Sequence, residues 1–274
     1  MLFVARKPMF MSSNAFLGRI KRRYGVKKAG FSGTLDPFAC GVLVIAFGQY
    51  TRLFRYLDKT PKTYRTTLWL GAHSPTLDIE GVDRVVEVPA FSLSKIEASL
   101  QSFIGDFTYL PPKYSAKKVE GRRAYDLARA GETVDLPTVT SKIYDIRLLH
   151  YRHPFVTFEA DVSEGTYIRS LGEAVARKLG VDGTLSYLKR LKEGKLAYEN
   201  ERPLDPLNYL KPPRNRYLGN PDDLILGRKL RAKDFQNREP GLYTVVFEPY
   251  FAIIEITQSG DAIYKLNKVE LCSF

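Results

Sequence analysis

Regular alternation of apolar and polar side chains predicts strands over much of this chain. Residues 62–70 alternate and stop at Gly71, as a strand with one buried face does. Residues 2–5 form a short apolar strand before Arg6. The same patterning predicts strands at 139–149, 155–162, 242–247, 251–256 and 262–266. We therefore expect a protein rich in β-sheet.

Helical spacing of apolar residues predicts three helices. The first has N-cap candidates at 12–14 and a stop at Gly30, and the second covers 94–104. The third begins near Ile168 and carries Arg169 in its first turn, where the helix dipole disfavours a cation unless it meets an anion or solvent. The predicted buried positions are Phe16, Ile20 and Tyr24, then Ile96, Leu100, Phe103 and Ile104, then Ile168, Leu171, Val175 and Leu179.

Five prolines between Arg202 and Asp223 divide the chain into unequal parts. They predict a linker or an extended segment, because proline interrupts helices and central strands. A chain of 274 residues is long enough for one large and one small domain. We expect a main domain at 1–210 and a small β-rich module at 222–274.

The charge balance indicates a polyanionic partner. Lys and Arg number 42 against 30 Asp and Glu, giving a net charge of +12. Nucleic acid is the favoured partner, although excess lysine can also serve solubility. Cys40 and Cys272 form no disulfide framework, and apolar runs stay well below the membrane-spanning length of about 20 residues. We expect a cytoplasmic protein, without a membrane or protein partner, that is a monomer.

The stretch Gly33-Thr34-Leu35-Asp36-Pro37-Phe38-Ala39-Cys40-Gly41 is the strongest candidate for chemistry. Its glycines permit turn conformations, and Pro37 disfavours helical geometry at Asp36, so the backbone orients one carboxylate. The alternative is structural, with Asp36 as a helix N-cap and Pro37 at the first helical position.

A second candidate segment interleaves basic and aromatic side chains. Its potential RNA contacts are Lys113, Tyr114, Lys117, Lys118, Arg122 and Arg123. Cations bind phosphates and tyrosine rings stack on bases. Proteins that bind single-stranded RNA combine these two kinds of contact. The alternative is a flexible, solvated loop. His150 and His153 have metal-site spacing but lack a recognised partner pattern, so we expect no metal.

Several motifs together resemble the TruB family of tRNA pseudouridine synthases. They are the Asp36 motif, Gly48-Gln49-Tyr50-Thr51-Arg52, Lys62-Thr63-Tyr64-Arg65 and Gly165-Thr166-Tyr167-Ile168-Arg169. The resemblance runs from Lys7 to about Leu196. It implies an α+β pseudouridine synthase fold, in which a mixed, largely antiparallel sheet is flanked by helices. It also implies isomerisation of uridine 55 in the TΨC loop of tRNA, without a cofactor.

By the same resemblance, Asp36 is catalytic, Tyr64 stacks on the target base and Arg169 pairs with the carboxylate. Lys7 and Leu188 belong to the substrate site. Residues 108–137 resemble the thumb segment that closes over RNA, and 222–274 resemble a reduced form of the family's C-terminal RNA-binding (PUA) domain. From the residues alone, Tyr64 could instead form an aromatic cross-strand pair.

The sequence departs from the family pattern at three positions. Arg6 stands where aspartate is usual, Phe10 where glycine is usual, and Phe31 where histidine is usual. We expect the Phe31 ring to fill the gap that a flipped nucleotide leaves. Two alternatives to the proposed activity stay open: a non-catalytic tRNA-binding or tRNA-folding module, and a pseudouridine synthase that acts on another RNA uridine.

Overall fold

The computed structural model describes residues 1–115, 117–119, 122–132 and 136–271, except for the side chains of Lys118, Val119, Arg123, Tyr125, Ala128 and Arg129. The helices are α1 Ser13–Tyr24, α2 Leu93–Gln101, α3 Ala124–Arg129, α4 Ile168–Leu179 and α5 Pro221–Leu226. The strands of the first half are β1 Leu2–Lys7, β2 Ala29–Ser32, β3 Cys40–Phe47, β4 Lys62–Leu70, β5 Ala72–His73, β6 Arg84–Val85, β7 Gly105–Tyr109, β8 Lys118–Val119 and β9 Arg122–Arg123. They are followed by β10 Val139–Arg152, β11 Phe155–Val162, β12 Gly183–Glu193, β13 Leu230–Arg231, β14 Gly241–Phe247, β15 Tyr250–Ile256 and β16 Asp261–Glu270.

An eight-stranded mixed sheet forms the body of the protein. Its order is β1-β3-β12-β4-β11-β10-β7, with β2 also paired to β3. Strands β3 and β12 run parallel, whereas the sheet's other pairs, within the described residues, run antiparallel. Helices α2 and α4 contact β10, β12 and β4 and bury the apolar face of these strands. This is the largely antiparallel, helix-flanked sheet that the sequence predicts.

A second, four-stranded sheet follows in the order β13-β16-β15-β14. Its own core contains Phe235, Val245 and Ile254. Phe251 and Leu266 instead pack in one apolar cluster with residues of β1 and β3. The C-terminal sheet therefore shares part of its core with the N-terminal edge of the main sheet.

Most predicted elements are confirmed, and the differences have simple causes. The strands at 62–70 and 155–162 have the predicted bounds. The predicted stop of α1 at Gly30 is wrong, because Gly25 already ends the helix in a left-handed conformation. Ile104 was expected to be buried but is 43% exposed, because α2 ends at Gln101.

No helix in the described part of the chain is both long and apolar enough to span a bilayer.

Candidate active site

The loop that carries Asp36 connects two neighbouring strands. Strand β2 ends at Ser32 and β3 begins at Cys40, and the segment between them contains no helix, against the N-cap interpretation. Gly33 has a φ of 65°, in the left-handed region that favours glycine. A Cβ at this position would lie 2.9 Å from the Lys62 ammonium nitrogen. The tight turn before Asp36 therefore requires glycine.

Helix α1 fixes the loop from one side. The Ser13 hydroxyl accepts a hydrogen bond from the Leu35 amide at 3.0 Å and donates one to the Leu35 carbonyl at 2.9 Å. The Met11 amide donates to the Pro37 carbonyl at 3.2 Å. The residues on both sides of Asp36 are thus anchored through their backbone.

The Lys7 side chain also anchors the loop that carries Asp36. Its side chain is buried, and its ammonium donates to three backbone carbonyls. The acceptors are Pro8 at 2.9 Å, Met11 at 2.6 Å and Pro37 at 3.2 Å. Burial lowers the pKa of Lys7 to about 8. Lys7, predicted to be a substrate-site residue, contacts the loop that carries Asp36 and lies outside the residues that line the cleft.

Arg169 holds the Asp36 carboxylate. Its Nη2 donates to Asp36 Oδ1 at 3.1 Å, and its Nε lies 2.9 Å from Oδ2 without hydrogen-bond geometry. Nη1 also donates to the Thr76 carbonyl at 2.7 Å, and Nη2 to the Tyr114 carbonyl at 2.9 Å. The Arg169 side chain is 3% exposed, whereas that of Asp36 is 32% exposed. The carboxylate therefore stays accessible while the guanidinium is locked in place.

Asp78 is the site residue that the sequence analysis missed. Its carboxylate is buried on the other side of Arg169, with Oδ2 3.3 Å from Nη1. Burial raises the pKa of Asp78, and the nearby Asp36 charge adds to this, while the Thr76 hydrogen bond and the Arg169 charge oppose it. Its loop has no chemical motif. The sequence around Asp78 therefore gives no signal of its role.

A cleft of about 340 Å³ opens over the Asp36–Arg169 pair. Its lining brings together Asp36, Tyr64, Arg169, Leu188 and Lys117. Tyr64, on β4, is 8% exposed, and Leu188, on β12, is 4% exposed, so both are held firmly by the sheet. Elements far apart in sequence thus bring carboxylates, cations and aromatic rings together in one cleft.

Among the described residues, the other predicted site residues are not part of the cleft lining. Lys113 is exposed, and Tyr114 is half-buried with its carbonyl bonded to Arg169. Arg122 is exposed and pairs with Glu132 at 2.9 Å. Phe31, on β2, lies outside the cleft lining and packs, partly buried, against the apolar cluster beneath α1. The side chains of Lys118 and Arg123 lie outside the described residues, as does Cys272.

In the described ranges, no group of three or more His, Cys, Asp or Glu side chains is placed to hold a metal ion. His150 and His153 therefore form no such group there.

The architecture is the pseudouridine synthase fold that the sequence predicts. A chain in the crystal structure of a Cbf5-Nop10-Gar1 complex superposes with a TM-score of 0.69 over 98% of this chain and 84% of its own length, at 19% identity. A chain in the structure of an H/ACA RNP bound to a substrate RNA containing 2'-deoxyuridine gives a TM-score of 0.63 over 100% of this chain and 85% of its own length, at 19% identity. At this level of identity the similarity establishes the fold alone.

Sequence comparison identifies the family. The family model for the N-terminal domain of TruB family pseudouridylate synthases matches residues 21–168. A tRNA pseudouridine synthase B from a Nitratiruptor species is 57% identical over 98% of this chain and 97% of its own length. One from a Sulfurovum species is 55% identical over 98% and 96%. The chain belongs to the TruB family of pseudouridylate synthases.

Proposed function

We propose that this protein isomerises uridine to pseudouridine at position 55 in the TΨC loop of tRNA. The observation that carries the proposal is the Asp36 carboxylate, accessible at the floor of a cleft and fixed by Arg169 at 2.9 and 3.1 Å. The relatives named tRNA pseudouridine synthase B, together with the family assignment, support tRNA as the substrate.

The reaction must expose a base that is stacked within a folded loop. Flipping the nucleotide out costs a few kcal/mol of stacking and pairing. The cleft offers the Tyr64 ring as a new stacking face, which is worth roughly 1 to 3 kcal/mol per base. The Leu188 side chain lines the same cleft as Tyr64. The flipped base therefore recovers part of the stacking that it loses.

Asp36 then assists cleavage of the bond between C1′ of the ribose and N1 of the base. The detached uracil keeps the electron pair of the broken bond on N1, turns and rejoins C1′ through C5. The proton on C5 is then released to solvent and N1 takes up a proton, so the product has the same atoms as the substrate. Arg169 orients the carboxylate throughout, because its other contacts fix the guanidinium. The rearrangement involves no net oxidation or reduction, so it requires no cofactor.

The RNA would be bound by the basic segment at 108–137 and by the C-terminal module. Lys113, Lys117, Lys118, Arg122 and Arg123 are proposed to contact phosphates, with Tyr114 as a stacking partner. Residues 108–137 would act as the thumb, and 222–274 as a reduced PUA-like module beside the catalytic domain at 1–210. We infer a monomer that acts in the cytoplasm without a protein partner.

Two other functions compete with this proposal. A tRNA-binding or tRNA-folding module would need the basic cleft but not the Asp36–Arg169 pair, and a synthase of different specificity would need both. Mapping pseudouridine in RNA from cells with and without the gene separates them.

The direct test is Asp36→Asn. This change keeps the size of the side chain but removes the negative charge, so we expect tritium release from 5-tritiated uridine in a tRNA transcript to be abolished. Binding of the transcript should stay within a few-fold of the parent. Turnover at the parent rate would rule out the assignment of Asp36.

A further inference from the structure

Two buried lysines lie at the edge of the cleft. The Lys59 and Lys62 side chains are 10% and 5% exposed. Lys59 donates to the Ser32 hydroxyl at 3.1 Å and to Glu164 at 2.7 Å. The Lys62 ammonium lies 3.1 Å from Glu193 and 3.7 Å from Glu164. Burying two ammonium groups together is costly unless anions compensate for them.

The two compensating carboxylates differ in exposure. Glu193 is fully buried and is shared with Arg190, whose guanidinium lies 2.9 Å from it. Glu164 lies on the loop before α4 and is 43% exposed. Burial alone would raise the pKa of Glu164, but Lys59, Lys62 and Lys211 lower it below its usual value. Glu193 is thus a permanent part of the cluster, whereas Glu164 covers it from the solvent side.

Lys62 and Glu164 both line the cleft that contains Asp36 and Tyr64. The Gly33 turn of the catalytic loop lies directly over Lys62. A nucleotide delivered to Asp36 therefore enters the same cleft that Lys62 and Glu164 line.

We propose that Lys59 and Lys62 form a phosphate subsite for the RNA backbone beside the target nucleotide, and that Glu164 occupies this subsite in the free protein. The inference rests on the proposed function. A phosphodiester and a carboxylate each carry one negative charge and accept hydrogen bonds from ammonium groups. Exchanging one for the other leaves the net charge of the buried cluster unchanged. Glu164 therefore acts as an internal competitor that RNA must displace.

The first experiment compares Glu164→Gln with Glu173→Gln in the full chain. Glu173 is a matched control, because it is 39% exposed, pairs with Arg177 within α4 and lies outside the cleft lining. Both changes remove one negative charge, so the non-specific electrostatic attraction between protein and RNA rises equally in the two variants. We expect Glu164→Gln to bind a tRNA transcript about 5- to 10-fold more tightly than Glu173→Gln in filter binding at fixed salt. Equal affinities, with both variants folded by thermal melting, would overturn the proposal.

The second experiment leaves Glu164 in place and changes the RNA. Single phosphates flanking the target uridine of a stem-loop are replaced by neutral methylphosphonates. We expect one replacement to weaken binding to the parent protein about tenfold, and by less than about threefold to Lys59→Gln. If every replacement weakens binding by the same factor in the parent and in Lys59→Gln, the subsite proposal is overturned. Tritium release by the parent protein from the unmodified stem-loop tests the proposed function separately.

Discussion

Arg169 occupies a position that is unfavourable for a cation by itself. It lies in the first turn of α4, where the helix dipole is positive, and it is almost completely buried. The carboxylates of Asp36 and Asp78 compensate on two sides. Because a buried charge is tolerated only when it is paired, the same contacts that keep Arg169 in the fold also orient Asp36.

Lys7 makes the free energy of unfolding depend on pH, and a substitution at this position isolates that dependence. Its pKa of about 8 lies below the ordinary lysine value of 10.5, so between these values the unfolded chain holds a proton that the folded chain has released. The contribution of Lys7 to the free energy of unfolding therefore rises with pH in this window. Relative to Lys7→Met, the parent should gain roughly 1 to 3 kcal/mol in urea unfolding between about pH 7.5 and 9.5. A constant difference between the two proteins at both pH values would contradict this.

Phe31 is predicted to fill the gap left by the flipped nucleotide. Its partly buried ring packs against the cluster beneath α1, which gives it a structural role as well. Stacking is worth roughly 1 to 3 kcal/mol, so Phe31→Ala should slow tritium release from folded tRNA by about tenfold or more. The loss should be smaller on an isolated, loosely structured stem-loop.

Phe31→His is the control for the preceding prediction and should be close to neutral, because an imidazole ring can fill the same gap. If a folded Phe31→Ala variant modifies both RNAs at the parent rate, Phe31 serves only in packing.

The contact between β3 and β12 joins the loop that carries Asp36 to the strand of the cleft lining that carries Leu188 and Arg190. Gly41 faces Arg190 across this parallel pair, and its φ is 106°. A Cβ at Gly41 would lie 2.1 Å from the Arg190 carbonyl oxygen, so neither side-chain freedom nor a small shift can relieve the clash. Glycine is required here for the two strands to approach.

Gly41→Ala should therefore lower the free energy of unfolding by about 4 kcal/mol or more, at the upper end for single substitutions. Gly25→Ala is the control, because Gly25 also has a positive φ of 63° but nothing lies within 4 Å of its added Cβ. That change should cost only about 1 to 2 kcal/mol of left-handed strain. Equal losses in urea unfolding would show that the close approach of β3 and β12 contributes nothing.

Local patterns were sufficient to predict β4, β11 and the start of α4, since alternation and helical spacing are set within each segment. Asp36, Tyr64 and Arg169 were identified through motifs. The structure brings the three to one cleft. Asp78 and Glu164 could not be predicted in this way, because their significance depends on cations supplied by distant elements. Lys7 was assigned to the substrate site by resemblance to the family. The three carbonyls that enclose its ammonium could not be predicted, because they depend on how distant segments pack.

The whole molecule combines a net charge of +12 with several separate apolar clusters in its described part. A positive charge of this size favours association with a polyanion such as RNA, whereas the chemistry that we propose lies in the cleft over Asp36. The proline-rich segment after Arg202 was expected to be a linker or an extended segment. It packs closely, with Leu210 bridging to Leu57 and Arg214 to Thr244. This segment is therefore held by backbone contacts to Leu57 near one end and to the C-terminal sheet near the other.

Removal of residues 220–274 tests whether the main sheet needs the C-terminal sheet in order to fold. Phe251, Ile253, Leu266 and Val269 pack in one buried cluster with residues of β1 and β3. Each such side chain contributes about 1.5 to 3 kcal/mol through burial, and the total stability of a domain is about 5 to 15 kcal/mol. Loss of four of them should leave the main sheet largely unfolded, with no cooperative thermal transition by circular dichroism. A truncated chain that melts cooperatively and has only weaker tRNA affinity would instead show that the module serves RNA binding alone.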